Sequence, residues 1–243
     1  MAQKILVLSG KGGVGKSTVT VCLAEAVTAL GKKALCIDAD IGFRSLDLIM
    51  GTGSEAVYNW LDVVNGNCTA QEALVKKNDS LFLLSAPSVS GIDTNKEKFG
   101  EMLSHYDGQF DFIFLDAPAG SGEIHKILAS VSDSALLVVT PDAVSVRSAD
   151  IAVDRALEVN GELKPRMIIN RFKKSEVLSG RQLKLDDVIN LTHTQLIGVI
   201  PESDSVRLMV SGGPLAESPR SAFYRTAQRL NGEQVIFNKR YFS

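Results

Sequence analysis

Ser9-Gly-Lys-Gly-Gly-Val-Gly-Lys-Ser-Thr18 lies between an apolar run, Ile5-Leu-Val-Leu8, and a helical pattern from Val19 to Leu30. Strand, glycine-rich turn and helix thus follow one another. The spacing Gly10-x4-Gly15-Lys16-Ser17 matches a phosphate-binding loop. Glycines let the backbone curl so that successive N–H groups face inward onto phosphate oxygens. The helix that begins near Gly15 adds the positive end of its dipole. Lys16 is expected to reach the β- and γ-phosphates of ATP, and the Ser17 hydroxyl to ligate Mg²⁺. Gly12, Gly13, Val14, Gly15 and Thr18 complete the expected cradle. A second lysine, Lys11, stands inside the glycine run. It cannot easily serve the same oxygens as Lys16, so it is available to a nucleotide held by a neighbouring subunit.

Two further strands deliver carboxylates. Lys33-Ala-Leu-Cys-Ile37 ends in Asp38-Ala-Asp40, and Phe110-Asp-Phe-Ile-Phe-Leu-Asp116 ends in Asp116. Ligands bind beyond the carboxyl ends of strands in open parallel sheets, so these groups are candidates for Mg²⁺ and the attacking water. Asp116 has the Walker B form and is expected to hold Mg²⁺ directly or through water. Asp38 is a second candidate ligand and Asp40 a candidate for positioning water; a plain turn or helix cap remains the alternative for that pair. Ala117-Pro-Ala-Gly-Ser-Gly122 follows, a bent loop in which Pro118 and Gly120 can sense the γ-phosphate.

The remaining chain reads as alternating apolar strands and helices. Leu81–Leu84, Ser134–Thr140, Arg166–Asn170 and Leu196–Ile200 are buried strands by their continuous apolar runs. Thr69 and Glu72 have capping-box spacing, and Ser145 is the candidate N-cap of a helix after Pro141. Trp60, Leu61 and Val64 are expected in the core. Asn170, at a strand end, could contact an adenine edge or simply cap the strand. Ser205–Val210 and Ser221–Leu230 read as closing helices, with Pro201-Glu202 a loop before them.

Composition agrees with one α/β domain over residues 1–243, with 231–243 a short C-terminal tail. The 243 residues are 45% hydrophobic, enough for a large core, and 26 basic residues face 28 acidic ones, which gives no nucleic-acid coat. Cys22, Cys36 and Cys68 lack CxxC spacing and are expected as free thiols, the first two buried, in a reducing cytosol. His105, His125 and His193 lack metal-ligand spacing and read as surface or cap residues. The basic run Lys173, Lys174, Arg181, Lys184 reads as a solvated loop rather than a DNA patch, because few aromatics interleave it. No membrane-spanning run and no signal peptide are visible.

The phosphate loop with its extra Lys11 resembles the deviant Walker A loop of the ParA/MinD ATPases. The stretch Asp38 to Gly51 and the segments Val57–Val64 and Thr69–Leu74 are similar to the MinD branch of that family. The resemblance implies a doubly wound, mostly parallel sheet with helices on both faces. It implies ATP and Mg²⁺ as cofactors, ATP hydrolysis, and an ATP-dependent homodimer in which Lys11 crosses the interface and Asp142 meets the partner's nucleotide. It also implies that Asn170 reads the base, that Arg171 lies against its ring, and that Pro201 and Glu202 line the adenine pocket. The role implied is a spatial switch in cell-division site selection, with an activating protein partner. Alternatives on this fold are a partition ATPase that binds DNA, a carboxylate-activating ligase, a metal-cluster carrier and a nucleotide-gated scaffold.

The chain departs from that family in its tail, Arg229 to Ser243. Phe237 and Tyr241 have i, i+4 spacing beside Lys239 and Arg240, but Val235-Ile-Phe237 is a consecutive cluster and the stretch is short for a membrane helix. A packed or disordered terminus is expected, with weak or absent membrane association and a cytoplasmic location; peripheral contact with the inner face of the membrane stays open.

Overall fold

A computed structural model describes residues 1–53, 55–88, 94–120, 122–209 and 213–237. Eight strands form one sheet in the order β3-β4-β2-β5-β1-β6-β7-β8. In chain order the strands are β1 (Gln3–Leu8), β2 (Ala34–Asp38), β3 (Leu74–Lys76), β4 (Leu81–Leu84), β5 (Phe112–Asp116), β6 (Ser134–Val139), β7 (Lys164–Phe172) and β8 (Gln195–Pro201). Neighbours pair in parallel except β3 with β4 at the edge. Central strands are apolar throughout because helices cover both faces. In β1, Leu6 and Leu8 belong to one core and Ile5 and Val7 to the other, as alternation requires.

One face carries α1 (Lys16–Thr28), α2 (Ser45–Met50) and α10 (Glu217–Leu230). The other carries α3 (Trp60–Val64), α4 (Lys96–Ser104), α5 (Glu123–Val131), α6 (Ala143–Val159) and α8 (Leu185–Thr192). Two short helices, α7 (Lys174–Leu178) and α9 (Asp204–Leu208), follow β7 and β8 and bury no side chain. Trp60 is fully buried, crosses Phe99 edge-to-face at 5.4 Å, and donates its indole N–H to the Asp38 carbonyl at 3.0 Å.

Several local expectations need correction. Thr69 and Glu72 do exchange capping hydrogen bonds, at 2.8 and 3.3 Å, but over a single turn that runs directly into edge strand β3. The capping box that opens a helix is Asn59–Asp62 at α3. Ser145 is not the N-cap of α6. Asp142 is, accepting from the Ser145 amide at 2.9 Å, while the Ser145 hydroxyl accepts from the Thr140 amide at 3.0 Å. Pro201 ends β8 instead of lying in a loop, and β7 runs on past Asn170 to Phe172. The basic run is partly a helix: Glu176 of α7 pairs with Lys173 at 3.5 Å and Arg181 at 2.6 Å. His105 and His193 are C-caps, but His125 sits in the first turn of α5 with its ring turned inward.

Candidate nucleotide site and switch region

The phosphate loop leaves the end of β1, the strand between β5 and β6, at the middle of the sheet. Gly15 is the N-cap of α1 in the left-handed conformation, φ 88°, and no side chain caps the helix. The first-turn amides of α1 are therefore available to an anion. A Cβ on Gly15 would lie 2.6 Å from Asn170 Nδ2, so the position excludes any side chain on two counts. Asn170 is 5% exposed and donates to the Val14 carbonyl at 2.8 Å. It thereby ties the loop to the end of β7, a contact that spacing alone could not reveal.

Lys16 points inward. Its Nζ lies 3.0 Å from Asp116 Oδ2, with side chains 7% and 0% exposed. Ser17 Oγ donates to the same carboxylate at 2.6 Å, and Thr20 Oγ1 lies 2.8 Å from its other oxygen. Thr20 escaped the sequence reading, although its place one turn after Lys16 could have indicated it. A buried carboxylate, a hydroxyl and an ammonium converge beside uncapped helix amides. That donor set fits Mg²⁺ on Ser17 and Asp116 with phosphate on Lys16 and the loop amides.

Asp38 is placed differently from expectation. It is fully buried in register with Asp116, and its two oxygens accept from the Asp40 and Leu46 amides, each at 2.9 Å. It anchors the segment that follows β2 rather than presenting a free oxygen to a metal. Burial first, then the charge of Asp116, push its carboxyl up to about 7 against the two amides and Lys16. Asp40 is half-buried, and burial likewise pushes its carboxyl above the ordinary range, with Lys16 opposing and Asp116 adding. A carboxyl raised in the folded state stabilises the fold at low pH, and that stability is lost as pH climbs through the folded value. The nucleotide-free protein is thus expected to lose thermal stability between about pH 4 and the folded value of about 7. Asp38→Asn, though less stable overall, should show a flatter slope in pH-dependent melting.

The segment after Asp38 is held by a second buried carboxylate that the sequence reading missed. Asp47 accepts from Arg44 Nε at 2.6 Å and from Ser85 Oγ at 2.8 Å, which binds α2 to the end of β4. Phe43, 76% exposed, stands outside this network.

Lys11 is engaged outside the Lys16–Asp116 pair, by Asp142. Its Nζ lies 3.0 and 3.2 Å from the two oxygens of Asp142. Burial raises the Asp142 carboxyl, but the Thr140 hydroxyl, the Ser145 amide and Lys11 outweigh it and hold it below the usual range. Beyond β5, Ala119 packs its Cβ 3.8 Å from where a Cβ of Gly12 would stand, and Gly120 turns at φ 89°. His125 lies 3.0 Å from the Pro118 carbonyl.

On the other side of the loop, Gly15, Thr18, Asn170, Arg171, Pro201 and Glu202 line one cleft of about 390 Å³. The sequence reading gave Gly15 and Thr18 to the phosphate cradle and, by resemblance, Asn170, Arg171, Pro201 and Glu202 to the base. It did not include Ser203, Val206 and Arg207, which complete the wall. Arg207 pairs with Glu202 at 2.5 Å. Arg171 adopts φ 55° at a register shift between β7 and β8, which leaves it exposed over the cleft mouth. Space of this size next to the loop suits a nucleoside.

With this geometry established, comparison with known proteins is decisive. Residues 1–168 match the ParA family model, described as NUBPL iron-transfer P-loop NTPase. The chain is 32% identical to the septum site-determining protein MinD of Bacillus subtilis, over 97% of this chain and 91% of that one. The chain belongs to the MinD family of P-loop ATPases. MinD in the MinC:MinD complex of Aquifex aeolicus superposes with a TM-score of 0.88 at 37% identity, covering 98% of both chains. MinD of Pyrococcus horikoshii, solved with Mg-ADP, gives 0.83 at 26% identity over 95% of this chain and 96% of that one. Membership makes this chain an ATPase and gives the doubly wound, mostly parallel fold. The iron chemistry in the family-model description has no visible counterpart: among the described residues the three cysteines are free and no group of three or more His, Cys, Asp or Glu could hold a metal. Cys22 and Cys36 are buried, and burial pushes both thiols far up.

No helix among the described residues is long and apolar enough to cross a membrane. Phe237 packs against the core, and the Arg229 guanidinium stacks 3.7 Å from its ring centre. Lys239, Arg240 and Tyr241 lie outside the described residues.

Proposed function

We propose that this chain, as one ATPase domain, is a spatial switch that joins two copies of itself on Mg-ATP and releases them on hydrolysis, in cell-division site selection. The observation that carries this reading is the divergence of two lysines in one loop. Lys16 is buried on Asp116, and Lys11 is held outside on Asp142. The Lys11–Asp142 pair is 36% and 41% exposed, so it contributes little stability and is readily exchanged for a stronger anion. A triphosphate in an opposing subunit is such an anion, and Asp142, at the N-terminus of α6, then comes to lie on the same interface.

Bound Mg-ATP supplies the phosphoryl group and the cation that offsets its charge. Ser17 and Asp116 would hold the metal, Lys16 would serve the phosphate oxygens, and Asp40, beside the anchor at Asp38, would orient the attacking water. Asn170, Arg171, Pro201 and Glu202 receive the base. A regulatory protein partner is proposed by analogy with the relative solved in a MinC:MinD complex. Membrane association is weak on its own, in line with the packing of Phe237 by Arg229.

The ligase alternative calls for a second, substrate-shaped pocket and gives Lys11 no role. A cavity of about 620 Å³ lies between α1, α2 and α10, apart from the phosphate loop, but the placement of Lys11 on Asp142 favours the switch. DNA binding is not favoured, since Glu176 neutralises part of the basic run. In gel filtration, ATP-loaded Asp40→Ala should elute as a dimer and the ADP form as a monomer. Lys11→Ala should bind ATP but dimerise at least tenfold more weakly, a loss of about 1.4 kcal/mol. Equal dimerisation of Lys11→Ala and the parent would remove the basis of the proposal. Adding anionic liposomes or DNA to the same samples tests the surface: strong pelleting or a salt-sensitive shift would replace this reading with a membrane-anchored or a partition role.

A further inference from the structure

His125 is the one histidine turned toward the loop that follows Asp116. Its Nε2 lies 3.0 Å from the Pro118 carbonyl, two residues past the buried Asp116. A carbonyl only accepts, so the ring is the Nε2–H tautomer there. Its Nδ1 is then an acceptor, buried and, among the described residues, without a hydrogen-bond partner. Burial first, and the nearby Lys16 charge as well, lower the proton affinity of the ring against the Pro118 bond, which keeps it neutral.

Among the described residues the loop has few other fastenings. Ala117 continues the β1 ladder through its amide to Val7 at 3.1 Å. Pro118 has no N–H to give. Gly122, the N-cap of α5, offers no side-chain cap. His125, in the first turn of that helix, reaches back to the Pro118 carbonyl and so ties the helix start to the loop. Between that bond and the turn at Gly120 lies Ala119, whose Cβ is 3.8 Å from where a Cβ on Gly12 of the phosphate loop would stand. Whatever sets Pro118 therefore sets how closely Ala119 approaches the phosphates.

We propose that His125 is a positioning residue for ATP hydrolysis: through its Nε2–H bond to Pro118 it holds the Ala117–Gly120 segment in register with the phosphate loop. It touches no phosphate itself. The unpartnered Nδ1 means that only one bond fixes the ring, so a shift of the segment on nucleotide binding changes the ring's environment directly.

The test measures steady-state hydrolysis and nucleotide affinity for the parent, His125→Ala and His125→Gln. Glutamine keeps an N–H donor at a similar reach. His125→Ala should lower kcat at least fivefold with KM for ATP within twofold, and His125→Gln should restore most of kcat. Ring ¹⁵N–¹H spectra of the unmodified protein supply a readout that needs no variant. The nucleotide-free form should show a single Nε2–H tautomer, and its ring shifts should move on adding Mg²⁺ with a non-hydrolysable ATP analogue. Parent-like hydrolysis by His125→Ala overturns the proposal. So does a solvent-like tautomer mixture, insensitive to nucleotide, which also decides the matter should His125→Ala fail to fold.

Discussion

Lys16→Ala is expected to abolish measurable ATP hydrolysis, a fall of at least about a hundredfold, the scale seen when one preorganised donor to a developing charge is removed. Among the described residues, the lysine is the only ammonium directed at the buried carboxylate that also meets the Ser17 hydroxyl. Its loss acts twice. The phosphates lose their point-charge partner, and Asp116, fully buried, loses its counter-ion. Breaking a buried pair on one side typically costs ~3–5 kcal/mol. Here the Ser17 and Thr20 hydroxyls remain on Asp116, so the cost should fall at the lower end. Melting of the nucleotide-free protein separates the two effects. Lys16→Ala should unfold at a lower temperature, and the double variant with Asp116→Asn should recover stability while remaining inactive. Equal melting of Lys16→Ala and the parent would mean that the pair carries no weight in the free protein.

Gly10→Ala is expected to be the most damaging single substitution in the loop, although Gly10 has an ordinary φ. A Cβ there would lie 2.0 Å from the Ser148 carbonyl carbon and oxygen and 2.3 Å from the Ala149 amide nitrogen. These are backbone atoms of α6, a 17-residue helix packed on the core, and they cannot turn aside as a flexible side chain would. Overpacking of this kind usually costs ~1–3 kcal/mol, and a clash with backbone belongs at or above that range. Gly13 makes the comparison. It has φ 79° with nothing within 4 Å of its missing Cβ. Gly13→Ala should cost only the left-handed penalty, ~1–2 kcal/mol. Denaturant titration of both variants gives the order. A milder effect at Gly10 than at Gly13 would show that α6 is not held against the loop as described.

The clefts and carboxylates divide in the same way between what the residues announce and what the fold arranges. The phosphate loop was readable because its chemistry is local: glycines, a lysine and a serine at fixed spacing bind phosphate through their own backbone. Asp116 was readable because an apolar strand ending in a carboxylate has few other uses. The Lys11 position was also legible, but not its Asp142 partner across 131 residues of chain. Helix α5 was missed despite Ile124, Ile127, Leu128 and Val131 at helical spacing, and α8 despite Leu185, Val188 and Leu191. Edge strand β3, three residues long, was masked by a capping pattern that closes only one turn.

The amino-acid sequence by itself determined the family, the α/β alternation and the strand–glycine loop–helix unit at Ser9–Thr18, because each rests on neighbours a few residues apart. Only the tertiary structure decided that Asp38 anchors a loop through two amides, that Asn170 ties Val14 to β7, that Gly10 admits no Cβ, and that His125 reaches Pro118. Hydrogen bonds and close contacts of that kind depend on where separate strands end relative to one another. Strand ends are placed by sheet register and helix packing, which no short stretch of residues encodes alone.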